Sequence, residues 1–357
     1  MKRKIAALLL TSVVITAFIL FLAFPDISRS AASDALTYSA RSVVPSLFCI
    51  MALSKFAVSS GGVDPVSAVL APASRFMRLS KSETSCFIAG NLGGFPGGAA
   101  IASDEAKRSG AAPRSAAALC AVSNNVSPGF MISYAGAAIL GSAARGLAIW
   151  LIQLLSSMIV CRFARKRIKN ECRVTEVTTH RAPLAQSFCD SVKDAALSCI
   201  YVSAFITFFA VLGAFYDSFS ERLSLPAVIT VLIKGMFELT AGCRTSVALG
   251  DSARFIIVAA LASSSGVCVI FQSLPYLLSC HADIGLYLRL KTFQAALCAA
   301  SSALYSALFL REPFVTAAKV GRTTQIPYII SLVIIIVFFG VLLASSRRRG
   351  NKNLNKG

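Results

Sequence analysis

Apolar stretches of about 20 residues, the length that crosses a bilayer as a helix, follow one another along most of this 357-residue chain. Hydrophobic residues make up 56% of the sequence and charged residues only 14%, which is more apolar surface than a soluble core can bury. The sequence therefore predicts an all-α polytopic membrane protein with the lipid bilayer as a partner. Eight stretches are predicted to be full spans: 5–24, 36–60, 115–140, 142–162, 188–216, 252–280, 285–310 and 326–345.

A glycine-rich segment, 90–98, interrupts a further apolar stretch at about 84–103 and contains five glycines and one proline. Backbone at membrane depth leaves the regular helix only where protein buries it or where it lines a wet cavity. We therefore predict the tip of a re-entrant hairpin here, with a surface loop as the alternative. A second hairpin is predicted at 227–249, where residues 238–242 interrupt the apolar pattern.

An internal repeat is indicated by residues 39–61, which align without gaps to residues 191–213. Each copy is followed by a broken segment and then by an interrupted helix, at 123–129 in the first half and at 263–266 in the second. Each half is thus predicted to contain a span, a re-entrant hairpin, a broken span and a span. On the predicted topology the halves are inverted, which is typical of secondary transporters. Chance similarity between two apolar segments is the alternative.

The predicted organisation has six parts, and basic residues mark three of them. The parts are an N-terminal span and connection (1–35), a first repeat (36–162), a basic linker (163–187), a second repeat (188–310), a C-terminal span (311–346) and a basic tail (347–357). The positive-inside rule places the basic start, linker and tail in the cytoplasm. Because the basic residues lie in short runs beside apolar segments, the net charge of +19 indicates membrane topology, and nucleic acid is not expected as a partner. The first apolar run exceeds the core of about 7–15 residues in a signal peptide, so we favour an uncleaved span over that alternative.

Glu238 is the candidate that the apolar setting makes most conspicuous, because an ionised carboxylate is costly inside a membrane. It could bind a coupling cation, carry a proton, or pair with Arg244 in a structural role. Thr240 supplies a neighbouring hydroxyl. Arg244 offers a rigid donor fork that could grip a carboxylate or a phosphate.

The first interrupted helix carries Asn124, Asn125 and Ser127 just before Pro128, which removes a backbone donor and frees carbonyl groups upstream. Amides, hydroxyls and carbonyl oxygens could converge there on an ion or substrate, and a simple proline kink is the alternative. Half-helix N-termini at the two breaks favour an anionic ligand. The full set of candidate substrate- or ion-binding residues is Asn91, Gly94, Phe95, Pro96, Gly97, Ser123, Asn124, Asn125, Ser127, Glu238, Thr240, Arg244, Ser264, Ser265 and Gln272.

An enzyme is not expected, because the sequence lacks the usual catalytic and metal-binding patterns. The 11 cysteines include no C-x-x-C pair, and the two histidines, His180 and His281, lie in predicted loops. A membrane-embedded hydrolase that uses Glu238 is the alternative. No cofactor or metal is expected beyond a coupling Na⁺ or H⁺, and the chain could form a homo-oligomer.

Four segments carry a family resemblance. In chain order they are GNLGGFPGGAAIASDEAKRSG, ALCAVSNNVSPGFMI, FELTAGCRTS and SSSGVCVIFQ. Over about residues 36–310 the chain resembles the sporulation integral membrane protein family of the YlbJ type. That family belongs to the group with the nucleoside-recognition, or Gate, domain, which is similar in layout to the concentrative nucleoside transporters. The chain departs from the family pattern at 123–128 and at 263–265.

What the resemblance implies is a sporulation-stage carrier in an endospore-forming bacterium. It implies dipicolinic acid as the leading small anionic substrate and the outer forespore membrane as the location. A carrier of nucleosides or another small metabolite is the second reading. A membrane assembly factor for spore formation that transports nothing is the alternative from another class.

Overall fold

The computed structural model describes residues 2–63, 65–66, 70–168, 183–220 and 225–310. The regular elements in these ranges are all helical. The predicted C-terminal span and tail lie outside the described residues, as does most of the predicted linker.

The first half of the chain forms eight α-helices and two π-helical segments. They are α1 (Lys2–Ala23), α2 (Pro25–Tyr38), π1 (Ser39–Val43), α3 (Val44–Ser59), α4 (Ala71–Met77), α5 (Lys81–Gly93), α6 (Gly97–Arg108), α7 (Pro113–Ser123), π2 (Phe130–Ile139) and α8 (Ala143–Arg167). The second half forms α9 (Leu184–Ser220), α10 (Ala227–Phe237), α11 (Leu239–Thr245), a 3-10 turn (Ser246–Ala248), α12 (Asp251–Ser264), α13 (Gly266–Ser279) and α14 (Ile284–Phe309). The predicted linker is therefore shorter at both ends, since α8 continues to Arg167 and α9 begins at Leu184.

Four helical segments are long and apolar enough to cross a membrane, namely Ala143–Arg167, Leu184–Ser218, Asp251–Ser279 and Ile284–Phe309. A fifth crossing is counted if Val14–Ala23 and Pro25–Arg41, which bend by 96° at their junction, form one span. Each of the four segments exposes large apolar side chains such as Leu155, Ile200, Phe271 and Leu308. These findings confirm an all-α polytopic membrane protein.

The predicted count of eight spans remains a prediction. The predicted span 115–140 is divided, because residues 124–127 leave the helix between α7 and π2. The predicted span 36–60 contains π1 and then Pro45 in the first turn of α3. Proline has no N–H to donate and π segments interrupt the regular hydrogen-bond ladder. The regions 36–60 and 115–140 therefore consist of short helical segments and not of one continuous helix each. Whether each region crosses the membrane remains to be tested.

Both predicted hairpins are pairs of short helices with a tight junction. Helices α5 and α6 join through residues 94–96, where Gly94 has φ +78° and the Phe95–Pro96 peptide is cis. Helices α10 and α11 join at Glu238, which is extended at φ −147°. The glycine-rich segment thus forms a two-helix turn and not an irregular loop. Helix α5 starts with a capping box between Ser80 and Glu83, which fixes the entry into the first pair.

The second interrupted helix breaks at one residue. Ser265 has φ +70° and Gly266 has φ +49°, a left-handed pair that separates α12 from α13. The predicted break at 263–266 is therefore present. Glycine suits the second of these positions because its backbone lies close to the Gly235 carbonyl oxygen, 3.0 Å from where a Cβ would be.

Two apolar cores hold these short elements. One packs α5, α7, α8, α13 and α14 around residues such as Leu119, Val122 and Leu277. The other packs π2, α8, α10, α12 and α14 around Ile149, Phe255 and Val258. Both hairpins therefore contribute side chains to the cores that the long helices α8 and α14 also form.

Candidate functional site

A cavity of about 410 Å³ is lined by residues from both halves of the chain. Pockets for small molecules span about 300–1,000 Å³, so its size suits a metabolite. We call it the central cavity. Its lining comes from α2, π1, α3, the first hairpin tip, the first break, π2, α9, the Glu238 junction and α13. It comprises Tyr38, Val43, Leu47, Ile50, Gly94, Phe95, Val126, Ser127, Gly129, Phe130, Ser133, Tyr134, Ala138, Val202, Ile206, Glu238, Leu239, Thr240, Cys268, Val269 and Gln272.

Six of the residues singled out in the sequence line the central cavity. They are Gly94, Phe95, Ser127, Glu238, Thr240 and Gln272. Three of these residues come from each half, although about 110 to 180 positions separate the halves along the chain. The first hairpin tip, the first break and the Glu238 junction therefore line the same space.

The first hairpin tip approaches the first break very closely. A Cβ built on Gly94 would lie 2.9 Å from the Ser127 Cβ. The Ser127 hydroxyl also accepts a hydrogen bond from the Phe130 N–H at 3.4 Å. The tip and the break therefore form one continuous surface of the cavity, with the serine hydroxyl at their seam.

Glu238 caps the N-terminus of α11. Its carboxylate accepts hydrogen bonds from the Thr240 N–H at 2.8 Å, from the Ala241 N–H at 2.7 Å and from the Thr240 hydroxyl. The residue is buried and lines the central cavity. These donors satisfy both carboxylate oxygens and pair two N–H groups at the N-terminus of α11 that have no partner within the helix. No ion pair joins it to Arg244 in the described part of the chain, so the cap is the structural role that the carboxylate has here.

A second cavity of about 530 Å³, which we call the polar cavity, shares Tyr38, Ile206, Glu238 and Thr240 with the central cavity. Arg244 lines it from α11, and Lys234 lines it from α10. The Lys234 ammonium is already paired with Asp217 at 2.8 Å. Arg244, which is exposed, is therefore the more available cation for a ligand in the polar cavity.

Asn91, Asn124 and Asn125 line neither cavity and belong instead to a buried polar network. Asn124 donates to the Ser273 hydroxyl at 2.8 Å and to the Tyr287 hydroxyl at 3.0 Å. Asn125 donates to the Asn91 side-chain oxygen at 2.9 Å. The three asparagines are each at most 2% exposed. Their amides hold the first break together from behind the cavity wall.

The remaining candidates also lie outside the two cavities. Pro96 and Gly97 face the protein interior, with Gly97 against the Met51 side chain. The Ser264 hydroxyl donates to the Leu261 carbonyl at 3.0 Å. The hydroxyls of Ser123 and Ser265 are buried and have no hydrogen-bond partner among the described residues.

Sequence reasoning missed Lys291 and Gln294 on α14, which complete the asparagine network. Lys291 donates to the Asn124 carbonyl oxygen at 2.9 Å, and Gln294 donates to Asn125 Oδ1 at 2.7 Å. The signal was present as polar residues at helical spacing in an apolar helix, at Tyr287, Lys291 and Gln294. An ionisable residue within a span is by itself an indication of function.

The described residues contain no group of three His, Cys, Asp or Glu side chains that could hold a metal ion. No protein-family model, curated protein or solved structure matches this chain. The resemblance to the YlbJ-type family therefore stays a prediction that rests on the four segments quoted above.

Proposed function

We propose that this protein is a secondary carrier for a small anionic or heterocyclic solute that binds in the central cavity. The observation that supports the proposal is the meeting of a hairpin tip, a broken helix and the Glu238 junction around one space of metabolite size. Discontinuous helices that converge on a central site are a hallmark of secondary transporters. No catalytic role is proposed for any residue.

We further propose that the two halves are inverted repeats. The order of elements supports this reading, since an apolar helix, a pair of short helices, a broken helix and a long helix follow in each half, with α4 also present in the first. Helices α3 and α9, which contain the aligned segments, also pack together through Met51, Ala52 and Ala195. In this proposal the hairpins and broken helices move against the remaining spans, and the cavity opens to each side in turn.

The leading substrate is dipicolinic acid, the planar aromatic dicarboxylate that the family resemblance implies. The central cavity offers aromatic side chains at Phe95, Phe130 and Tyr134, which suit a flat ring. The adjoining polar cavity offers the Arg244 guanidinium, which suits a carboxylate. A ligand whose ring lies in the central cavity and whose carboxylate extends past Thr240 into the polar cavity would contact the aromatic side chains and Arg244.

A nucleoside is the second candidate, and a specific observation favours it. The lining of the central cavity includes the Glu238 carboxylate but no lysine or arginine. An uncharged ligand with several hydroxyl and amide groups would meet Ser127, Gln272 and Glu238 without electrostatic repulsion. Charge on the ligand is therefore the property that separates the two candidates.

The test is flux into liposomes that contain only the purified full-length protein. Labelled dipicolinate and labelled uridine are supplied separately, with Phe95→Ala and Gln272→Ala as the cavity variants. Phe208→Ala is the matched control, because that ring is 51% exposed on α9 and lies outside both cavities. We expect saturable flux of one solute, lost in both cavity variants and kept in the control.

The result decides between the classes of function. Flux of uridine without dipicolinate would replace the leading substrate by the second candidate. Absence of both fluxes in a folded, reconstituted protein would favour the membrane assembly factor. The outer forespore membrane and cytoplasmic termini stay part of the proposal, and a terminal fusion reporter in sporulating cells would test them.

A further inference from the structure

Lys291 places an ammonium group in the protein interior at the first break. The residue is 1% exposed, and its Nζ atom lies 2.9 Å from the Asn124 main-chain oxygen, 3.0 Å from Asn125 Oδ1 and 3.1 Å from Gln294 Oε1. In the part of the chain that the structure describes, no carboxylate is paired with it. A buried lysine normally needs a counter-charge, so this arrangement calls for an explanation.

The amide orientations around Lys291 are fixed by groups that can only accept. The Asn125 Nδ2 donates to the Val122 carbonyl oxygen at 2.9 Å as well as to Asn91 Oδ1. The Asn91 Nδ2 in turn donates to the carbonyl oxygens of Phe87 at 2.8 Å and Val122 at 3.1 Å. Because a carbonyl cannot donate, Asn125 must present its oxygen to Lys291.

The number of donors on the amine can be compared with the number of these acceptors. Three oxygens surround Nζ: one main-chain carbonyl and the side-chain oxygens of Asn125 and Gln294. A neutral amine has two N–H donors, whereas an ammonium has three. Three acceptors at hydrogen-bond distance are therefore matched by the charged form.

The three oxygens also form the type of shell that holds a monovalent cation. Neutral carbonyl and amide oxygens at a helix break coordinate ions in carriers with discontinuous helices. The distances of 2.9–3.1 Å around Nζ are longer than the roughly 2.0–2.6 Å of Mg²⁺ and Ca²⁺ ligands. The shell therefore fits an ion of the size of ammonium.

We propose that Lys291 supplies a tethered monovalent cation, which fills an oxygen-lined cation site formed by Asn124, Asn125 and Gln294 at the first break. The charge that holds the break together is then part of the chain and not an ion taken from solution. A chain in which the tether is removed gains an empty site for a free ion of ammonium size. The proposal concerns the folded state alone and holds whether or not the protein transports a solute.

The experiment measures the thermal unfolding of the purified full-length protein in detergent. Choline chloride, NaCl, KCl and NH₄Cl are compared at equal ionic strength, with ammonium as the probe closest to the lysine head group. Wild-type protein should unfold at the same temperature in all four salts. Lys291→Ala should lose several degrees in choline chloride and recover most of that loss in NH₄Cl or KCl.

Two variants serve as matched controls. Arg289→Ala removes an exposed positive charge from the same helix and leaves the three oxygens occupied, so it should show no recovery in ammonium. Lys291→Met fills the space along the side chain without a charge, so it should be equally unstable in ammonium and in choline. Recovery confined to Lys291→Ala supports the tethered cation.

Three outcomes would overturn the proposal. The first is Lys291→Ala with wild-type stability in choline chloride, which would mean that no cation is needed at the break. The second is a loss of stability that none of the small cations restores. The third is Lys291→Ala protein that cannot be obtained folded in any of the salts, since an ion-filled site should support folding. Flux measurements do not enter this readout, so its failure is distinct from failure of the carrier proposal.

Discussion

Gly98 in the first hairpin lies directly against the main-chain carbonyl of Ser123 in the first broken helix. A Cβ at residue 98 would come within 2.1 Å of the Ser123 oxygen, which is closer than any real carbon approaches a carbonyl. Residues 98 and 123 are both buried, and the contact involves their backbones, so moving either one away would be costly. The cavity wall formed by the hairpin and the broken helix therefore depends on the absence of one methyl group.

Gly98→Ala should separate the hairpin from the broken helix. Overpacking of this kind costs about 1–3 kcal/mol, and we expect a lower unfolding temperature in detergent together with loss of ligand binding. Gly250→Ala is the matched control, because residue 250 is exposed, lies outside both cavities and has nothing within 4 Å of a Cβ there. Equal stability of the two variants would contradict the close packing of the hairpin.

Glu238→Gln should abolish transport while the protein still inserts into the membrane and folds. The glutamine keeps one acceptor for the α11 N-terminus, so the loss of capping should be limited to about 1 kcal/mol. The negative charge at the wall between the two cavities is lost completely. Flux into liposomes and the unfolding temperature would be measured on the same preparation.

Asp283→Asn is the control for that substitution. Asp283 also caps a helix, since its carboxylate accepts a hydrogen bond from the Leu286 N–H at 2.9 Å, but it lies outside both cavities. Asp283→Asn should unfold at a temperature similar to that of Glu238→Gln, and it should keep wild-type flux. Wild-type flux in Glu238→Gln as well would show that the carboxylate serves only as a cap.

The breaks in the helices were predictable because local chemistry decides them. Glycine at positions 94 and 266 permits the positive φ values at which the helices are interrupted. The carboxylate at Glu238 likewise marks the second junction, because a charge in an apolar stretch needs donors nearby. Residues from both halves line one cavity, and the internal repeat itself stays a prediction.

The direction of individual side chains was not predictable in the same way. Asn124 and Asn125 stand at the break as expected, yet their amides turn away from the cavity toward Lys291 and Gln294. That direction depends on how α14 packs behind the break, which is a long-range contact. The predicted count of eight membrane spans stays a prediction for a related reason, since short pieces such as π2 are stabilised by their neighbours and not by their own length.

Asn125→Ala should destabilise the protein through the buried network and not through a lost ligand contact. The substitution removes an oxygen that accepts from Lys291 and from Gln294, and it leaves the Asn91 oxygen without its donor. Unpaired buried polar groups cost about 1–3 kcal/mol each. Thermal unfolding of Asn125→Ala, Asn91→Ala and the double variant would measure the coupling.

The effects of Asn91→Ala and Asn125→Ala should not add, because the two amides share one hydrogen bond. Ser157→Ala provides the comparison, since that hydroxyl donates to the Leu154 carbonyl at 2.8 Å and shares no partner with the network. Its effect should add to that of Asn125→Ala. Additive behaviour in both pairs would mean that the asparagines act independently.

The ion pair between Glu83 and Arg165 should be the most sensitive charge contact in the described part of the chain. Arg165 is 4% exposed and also donates to the Ser115 hydroxyl at 3.0 Å, so the pair links α5, α7 and α8 in the interior. Arg165→Met leaves a buried carboxylate without its partner, which costs about 3–5 kcal/mol. Glu83→Gln/Arg165→Met should recover part of that loss, because the glutamine carries no charge and keeps an acceptor for the Ser80 N–H.

Lys107→Met is the control at an exposed ion pair. It breaks a pair with Asp104 in which the two side chains are 46% and 51% exposed, so it should change stability by less than about 1 kcal/mol. Unfolding temperatures of the four proteins would test the order, and a double variant less stable than Arg165→Met would show that the charge on Glu83 is not what the arginine compensates.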